Sequence, residues 1–68
     1  MTPNGAAIRA FREARSLSIR ATARLAECDP SHLSRLERGL AGADETRLRR
    51  IAEVLEVPVA AIVREEMP

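Results

Sequence analysis

Aromatic residues are nearly absent from this 68-residue chain, which contains one Phe and neither Trp nor Tyr. Its core must therefore be built from Leu, Ile, Val and Ala, which suits closely packed helices. No alternating run of β-branched residues is present, which argues against a sheet. A chain this short buries only about 60% of its unfolded surface. We therefore expect one small domain, residues 1–68, with a thin margin of stability.

Cysteine and long apolar runs are also scarce. The single cysteine, Cys28, has no partner for an internal disulfide, so nothing suggests secretion. No apolar run approaches the ~20 residues needed to cross a bilayer, and the first five residues lack the apolar segment of a signal peptide. Cys28 and His32 stand four apart, but two ligands do not make a zinc site. We expect a cytoplasmic protein without membrane contact, metal or cofactor.

Lysine is missing altogether, and all eleven basic residues are arginines. The net charge of +1 is a weak argument for nucleic acid, but the charge is unevenly distributed. Residues 9–38 carry a net charge of +3 and residues 39–68 a net charge of −2. A polyanionic partner would therefore meet the first half of the chain.

The basic half contains signals for two short helices around a tight turn. Ser18 and Asp29 are suitable N-caps, and Pro30 follows at the first helical position, where proline is favoured. Gly39 can end the second helix in a left-handed conformation. Only two residues lie between the first helix and the second cap, so the helices must cross at a large angle. This predicts a helix-turn-helix over residues 18–38.

The flanking segments carry similar signals. Asn4 and Asp44 can cap two further helices, and residues 48–55 show apolar side chains at i, i+3, i+4 and i+7. A short last helix can start near Pro58. The expected fold is all-α and compact, with five helices at about 5–15, 19–26, 30–38, 45–55 and 58–64.

Several residues in and around this motif share one spacing pattern without an insertion. They are Arg12, Leu17, Ser18, Ala23, Ala26, Leu33, Ser34, Leu36, Glu37, Arg38, Gly39, Leu48, Ile51, Ala52, Leu55 and Val57. Together they resemble the phage repressor and Cro type of helix-turn-helix, the XRE family, over nearly the whole chain. The resemblance implies a sequence-specific double-stranded DNA-binding regulator of the repressor type, not an enzyme. Such a protein binds a palindromic operator as a homodimer.

Four positions depart from that family pattern. Ile19 replaces a usual Gln, Thr22 a buried Leu, Glu27 the turn Gly, and Pro30 a polar residue at the start of the recognition helix. If the turn keeps the family geometry, Glu27 adopts a positive φ, which costs on the order of 1 kcal/mol for a residue with a Cβ.

The third helix is the expected reader of bases. Ser31, His32 and Arg35 are spaced to share its outward side. Arg35 can donate two hydrogen bonds to guanine O6 and N7, and His32 could touch a base or a phosphate. Pro30 has no N–H and offers only apolar contact, for example to a thymine methyl group.

The resemblance also implies two other sets of residues. Ser18, Arg20 and Arg38 sit where the family touches DNA phosphates. Arg12 and Glu37 sit where it forms a buried ion pair, and the alternative for these two is a pair of solvated charges.

The C-terminal part supplies candidates for a dimer surface, with the loop of residues 40–43 near the two-fold axis. These candidates are Val59, Ile62 and Val63. A protein-interaction module on the same fold, such as an antitoxin-like or anti-activator subunit, stays open as an alternative. Apolar residues where polar contacts are expected favour it slightly: Ile19, Leu25 and Pro30. The chain could also be one domain of a longer regulator.

Overall fold

The computed structural model describes residues 1–64, and this part of the chain contains four α-helices. They are α1 (Gly5–Ala14), α2 (Ile19–Leu25), α3 (Pro30–Glu37) and α4 (Glu45–Leu55). Each begins at the predicted residue and ends within one residue of the prediction. The predicted helical fold is therefore confirmed for these four elements.

The predicted fifth helix at 58–64 is wrong. Val59–Ile62 form a single 3-10 turn, and Val63–Arg64 are a short strand, β2. This strand pairs antiparallel with β1, Thr2–Pro3, so the expectation that no sheet forms is also wrong. The reason is tertiary. No side chain caps the turn that starts after Pro58, and the N-terminal segment lies alongside as a competing hydrogen-bond partner.

Side-chain caps begin all four α-helices, as the sequence predicts. In each case the cap oxygen accepts a hydrogen bond from the backbone N–H three residues later, which satisfies one of the unpaired donors of the first turn. The donor–acceptor distances are 3.1 Å for Asn4 to Ala7, 3.0 Å for Ser18 to Ala21, 3.3 Å for Asp29 to His32 and 2.8 Å for Asp44 to Arg47. The caps fix where each helix starts before any packing is considered.

The helix ends are more strained than the starts. Each helix is followed, one or two positions after its last residue, by a residue in the left-handed region, and Gly39 is the one glycine among these four, with φ 77°. The other three carry a side chain there: Ser16 at 56°, Glu27 at 58° and Glu56 at 57°. Because a Cβ is unfavourable in this conformation, each of these three ends costs on the order of 1 kcal/mol. The positive φ expected at Glu27 is therefore confirmed.

Glu27→Gly is expected to raise the free energy of unfolding by about 1 kcal/mol, since it relieves this strain. The variant also loses an exposed ion pair to Arg50, 3.6 Å between charged atoms, which contributes little. Glu27→Ala is the matched control, because it removes the ion pair and keeps the Cβ. Urea unfolding of both variants measures the difference. A glycine variant less stable than the alanine variant would contradict the strain.

The core is aliphatic, as expected, and it includes a residue assigned above to the surface. Ile62 is completely buried, so it cannot face a partner, and its assignment to a dimer surface is wrong. Its backbone oxygen accepts a hydrogen bond of 2.9 Å from the Asn4 N–H, which ties the C-terminal turn to the start of α1. The largest fully buried apolar side chains are Ile8, Leu33, Leu36, Leu48, Ile51, Leu55 and Ile62.

One polar residue, Thr22 of α2, lies inside this core. Its side chain is completely buried, and its hydroxyl has no hydrogen-bond partner within residues 1–64. A buried hydroxyl without a partner costs about 1–3 kcal/mol. The helix-turn-helix therefore contains a buried polar group whose removal should stabilise the protein.

Thr22→Val is expected to stabilise the protein by about 1 kcal/mol or more, because valine has the same shape without the hydroxyl. Thr22→Ser is the control, since it keeps the hydroxyl and loses a buried methyl group, and it should destabilise. The midpoints of chemical unfolding give both values. If valine lowers the midpoint, the hydroxyl has a partner that the described residues do not reveal.

Two contacts hold the C-terminal end of α3 against α1. Arg12 of α1 donates to both carboxylate oxygens of Glu37, at 2.6 and 3.0 Å, and also to the Leu17 carbonyl at 2.8 Å. Gly5, at the first position of α1, packs so closely on the last carbonyls of α3 that no Cβ would fit. These contacts determine how far α3 stands out from the rest of the fold.

Candidate nucleic-acid interface

Helix α3 has a buried side and an open side. Leu33 and Leu36 anchor it in the core. The opposite side is a shallow open surface, which we call the α3 face, lined by Pro30, Ser31, Ser34, Arg35 and Arg38. Of the residues expected to contact DNA from this helix, all but one line this face.

His32 is the exception, and its expected place beside Ser31 and Arg35 is wrong. One residue along an α-helix turns the side chain by about 100°, which takes His32 to the flank of α3. There it lines a separate depression with Asp44 and Arg47 at the start of α4. The imidazole Nε2 is enclosed and has no partner within residues 1–64. Packing against the following loop and α4, which the spacing alone cannot show, decides this orientation.

The arginines divide into two groups. Five form ion pairs, and these lie mostly on α1 and α4: Arg9 with Glu13, Arg12 with Glu37, Arg15 with Glu56, Arg49 with Glu45, and Arg50 with Glu27. The other six make no ion pair to another residue of the described part, 1–64. Four of those six belong to the helix-turn-helix: Arg20, Arg24, Arg35 and Arg38. Positive charge without an internal counter-ion is therefore concentrated on α2 and α3.

Arg24 and Ser34 are two residues at this surface that were not assigned a role above. Ser34 lies four residues after Pro30 on the α3 face, and its carbonyl accepts a hydrogen bond from Arg38 Nε at 3.4 Å. Arg24 follows Arg20 by one helical turn on α2, so the two lie on the same side. That spacing could have identified Arg24 from the sequence.

A second depression adjoins the α3 face and shares Pro30 with it. It is lined by Arg20, Arg24, Cys28 and Pro30. Burial raises the pKa of the Cys28 thiol, although Arg47 opposes this, so the thiol is uncharged at neutral pH. The basic surface therefore contains a small apolar area between α2 and the start of α3.

The residues expected to contact DNA or a second copy of the chain from outside α3 differ in their exposure. Ser18 is exposed at the start of α2 and accepts from the Ala21 N–H, which leaves its own hydroxyl hydrogen for an oxygen acceptor. Val59 and Val63 are half-buried and pack against the core. Leu40, in the loop after α3, is 66% exposed, and it is the most exposed large apolar side chain within residues 1–64.

A family model described as "Helix-turn-helix domain" matches residues 5–64 of this sequence. The chain belongs to the helix-turn-helix domain family. The match covers all four α-helices and the contacts between α1 and α3. The family expected from the motif residues is thereby confirmed. A comparison of the sequence with curated proteins finds no match.

Solved structures agree with this helix-turn-helix assignment. The clp gene regulator ClgR from Corynebacterium glutamicum is 34% identical, with a TM-score of 0.80 over 82% of this chain and 60% of the ClgR chain. The restriction-modification controller protein C.AhdI from Aeromonas hydrophila is 26% identical, with a TM-score of 0.81 over 84% of this chain and 86% of that chain. An HTH_3 family transcriptional regulator from Vibrio cholerae is 32% identical, with a TM-score of 0.77 over 84% of this chain and 32% of that one. This chain thus spans less than two thirds of the length of that ClgR chain.

The described part of this helix-turn-helix domain lacks the features of a metal site and of a membrane span. Within residues 1–64, no group of three or more His, Cys, Asp or Glu side chains could hold a metal ion. No helix in the same range is long and apolar enough to span a membrane.

Proposed function

We propose that this protein is a sequence-specific, double-stranded DNA-binding transcriptional regulator of the repressor type. The observation that carries the proposal is the group of arginines on α2 and α3 that form no ion pair within residues 1–64, around an exposed polar α3 face. Each such arginine can replace a counter-ion of the DNA backbone. The likeness to proteins described as gene regulators supports the same function.

In the proposed complex, α3 enters the major groove with its exposed face toward the base edges. Arg35 reads a guanine through two hydrogen bonds, Ser31 adds an adaptable donor and acceptor, and Pro30 contributes an apolar contact. Phosphates on either side are bound by Ser18, Arg20 and Arg38, which fix the orientation without reading sequence.

The regulator is proposed to act as a homodimer on a palindromic operator, with half-sites about 34 Å apart. The exposed Leu40 and the half-buried Val59 and Val63 are the dimer candidates, and Ile62 is excluded by its burial. Residues 1–68 would act as one domain. We place its action in the cytoplasm, because a DNA-binding regulator acts where the chromosome lies and the solved relatives named above come from bacteria.

Arg35→Ala and Arg38→Ala are expected to weaken DNA binding in different ways. Arg35→Ala should lower the affinity for the selected site about 10- to 100-fold and relax the preference at one base pair, because a base contact is lost. Arg38→Ala should weaken binding to all sequences about equally and reduce the salt dependence, since a phosphate contact is lost. Titration of a site selected from random duplexes and of a scrambled duplex, at several salt concentrations, separates the two roles.

Arg9→Ala is the matched control, because Arg9 is equally an exposed helical arginine but is paired with Glu13 on α1. It should leave both the affinity and the salt dependence unchanged. Identical behaviour of the two α3 variants would contradict the assigned roles.

A protein-interaction module is the second candidate, and the exposed Leu25, at 62% of its surface, is the observation in its favour. Ile19 favours an interaction module less than the sequence alone indicated, because its side chain packs against the core. The salt-dependent titration decides between the candidates: a DNA regulator binds more weakly as salt rises, and an interaction module on the same fold does not bind duplexes.

A further inference from the structure

We propose that Cys28 and Pro30 form a recognition site for the C5-methyl group of a pyrimidine in the major groove. The inference rests on the proposed DNA-binding function. It extends the apolar contact proposed there for Pro30 to a two-residue site with Cys28, which recognises a second base position without hydrogen bonds. The chemistry recognised is a methyl group on a base edge, as in thymine or 5-methylcytosine.

The position of these two residues supports the proposal. They line the same open depression between α2 and α3, with a volume of ≈ 440 Å³. Arg20 and Arg24 line the same depression and have no ion pair within residues 1–64. Two cations beside an apolar area match a nucleic-acid edge, where phosphates lie close to the methyl group of a base. An uncharged apolar peptide would leave these two charges without a partner.

The chemistry of the two side chains fits a methyl group better than a polar base edge. The proline ring has no hydrogen-bonding group, and a neutral thiol behaves as a small apolar group. Burial raises the pKa of Cys28, which keeps the thiol neutral at physiological pH. Both side chains are half-buried. Cys28 packs against the core and, like Pro30, leaves part of its surface open to the depression. A methyl group entering here would lose water contact without breaking hydrogen bonds.

The depression is continuous with the α3 face, because Pro30 lines both. Pro30 and Arg35 are five residues apart, which is about 7.5 Å along an α-helix. At 3.4 Å per base step along one strand, this spacing corresponds to about two base pairs. The methyl-bearing pyrimidine should therefore lie about two base pairs from the guanine that Arg35 reads.

Deoxyuridine substitution tests the proposal, because uracil lacks the methyl group of thymine and keeps its pairing. A site selected by the wild-type protein from random duplexes is resynthesised with one thymine at a time replaced by uracil. At one thymine in each half-site, we expect replacement by uracil to lower the affinity of the protein for the duplex about fourfold. This is the effect of burying one methyl group. At that position a C·G pair should gain about fourfold when the cytosine is methylated at C5, which shows that the methyl group and not the thymine is recognised.

Two variants and one control connect this effect to the site. Pro30→Ala removes the ring, and Cys28→Ser replaces the thiol with a polar group of similar size. In each variant, replacing that thymine by uracil should lower the affinity by less than twofold. Circular dichroism checks that the helical content of the variant is unchanged. Arg49→Ala, on α4 and paired with Glu45, should keep the full penalty.

The outcomes separate the two proposals. Failure to select any duplex overturns the proposed function, and this inference with it. Selection of a duplex in which no uracil substitution matters, or a penalty that persists in both variants, overturns the methyl site and leaves the DNA-binding function standing.

Discussion

Glu37→Ala is expected to lower the free energy of unfolding by about 3–5 kcal/mol, because it leaves the Arg12 guanidinium buried without its partner. Only 12% of the Arg12 side chain and 5% of the Glu37 side chain are exposed. Since a domain of this size has a total stability of roughly 3–10 kcal/mol, the variant should be substantially unfolded at 37 °C.

The pair joins three segments and not only two side chains. Arg12 holds the carboxylate of Glu37 with two donors and the carbonyl of Leu17 with a third. One side chain thus fixes the end of α3, the loop before α2, and α1 itself. Hydrogen bonding to Glu37 raises the pKa of Arg12 despite desolvation. A raised pKa of a cation stabilises the fold at every pH below its ordinary value, so Arg12 should cause no loss of stability in the neutral range.

The measurement is urea unfolding monitored by circular dichroism. Glu45→Ala is the matched control, because it breaks an exposed pair with Arg49 at 3.1 Å and should cost well under 1 kcal/mol. A double variant, Arg12→Met with Glu37→Leu, should recover most of the lost stability, because it removes both charges. A loss no larger than that of the control would contradict the interpretation of a buried pair.

Gly5→Ala is expected to have the second-largest effect, a destabilisation of about 1–3 kcal/mol from overpacking. An added Cβ would lie 2.5 Å from the carbonyl oxygen of Glu37 and closer still to that of Leu36. Both are backbone atoms at the end of α3, so no flexible side chain can move aside. Helix α1 would have to shift away from α3, and the Arg12–Glu37 contact between the same helices would lengthen.

Gly42→Ala is the control for this experiment, because a Cβ at Gly42 meets nothing within 4 Å. Thermal unfolding of the two variants should show a lower midpoint for Gly5→Ala and little change for Gly42→Ala. Equal midpoints would mean that α1 and α3 adjust to the extra atom without cost.

The local signals of the sequence were sufficient for much of this structure. All four predicted caps make the expected hydrogen bond, because capping depends on residues only three positions apart. The positive φ of Glu27 was implied by the resemblance to the helix-turn-helix family, in which a glycine usually occupies this turn position. The concave site at Cys28 and Pro30 could not be predicted in this way, because its walls come from α2 and the start of α3.

The failures have a common origin in contacts between distant segments. The stretch after Pro58 has residues that suit a helix, but only the single turn Val59–Ile62 forms. The next two residues, Val63 and Arg64, pair with the N-terminal strand and do not continue the helix. His32 has helical spacing that suits the outward side, but its Nε2 is enclosed and its side chain lies against the loop before α4. The close approach of Gly5 to the end of α3 could not be predicted from the sequence, in which the glycine is the only indication.

By itself, the sequence determined the class of fold, the starts of the helices and the family, because caps, turns and apolar spacing act over a few residues. Tertiary structure alone decided which arginines form no ion pair within residues 1–64, which side of α3 is open, and how the two ends of the described chain meet. Those features depend on residues as far apart as Arg15 and Glu56. The packing of the aliphatic core sets the distance between such residues, and no local sequence pattern predicts that packing.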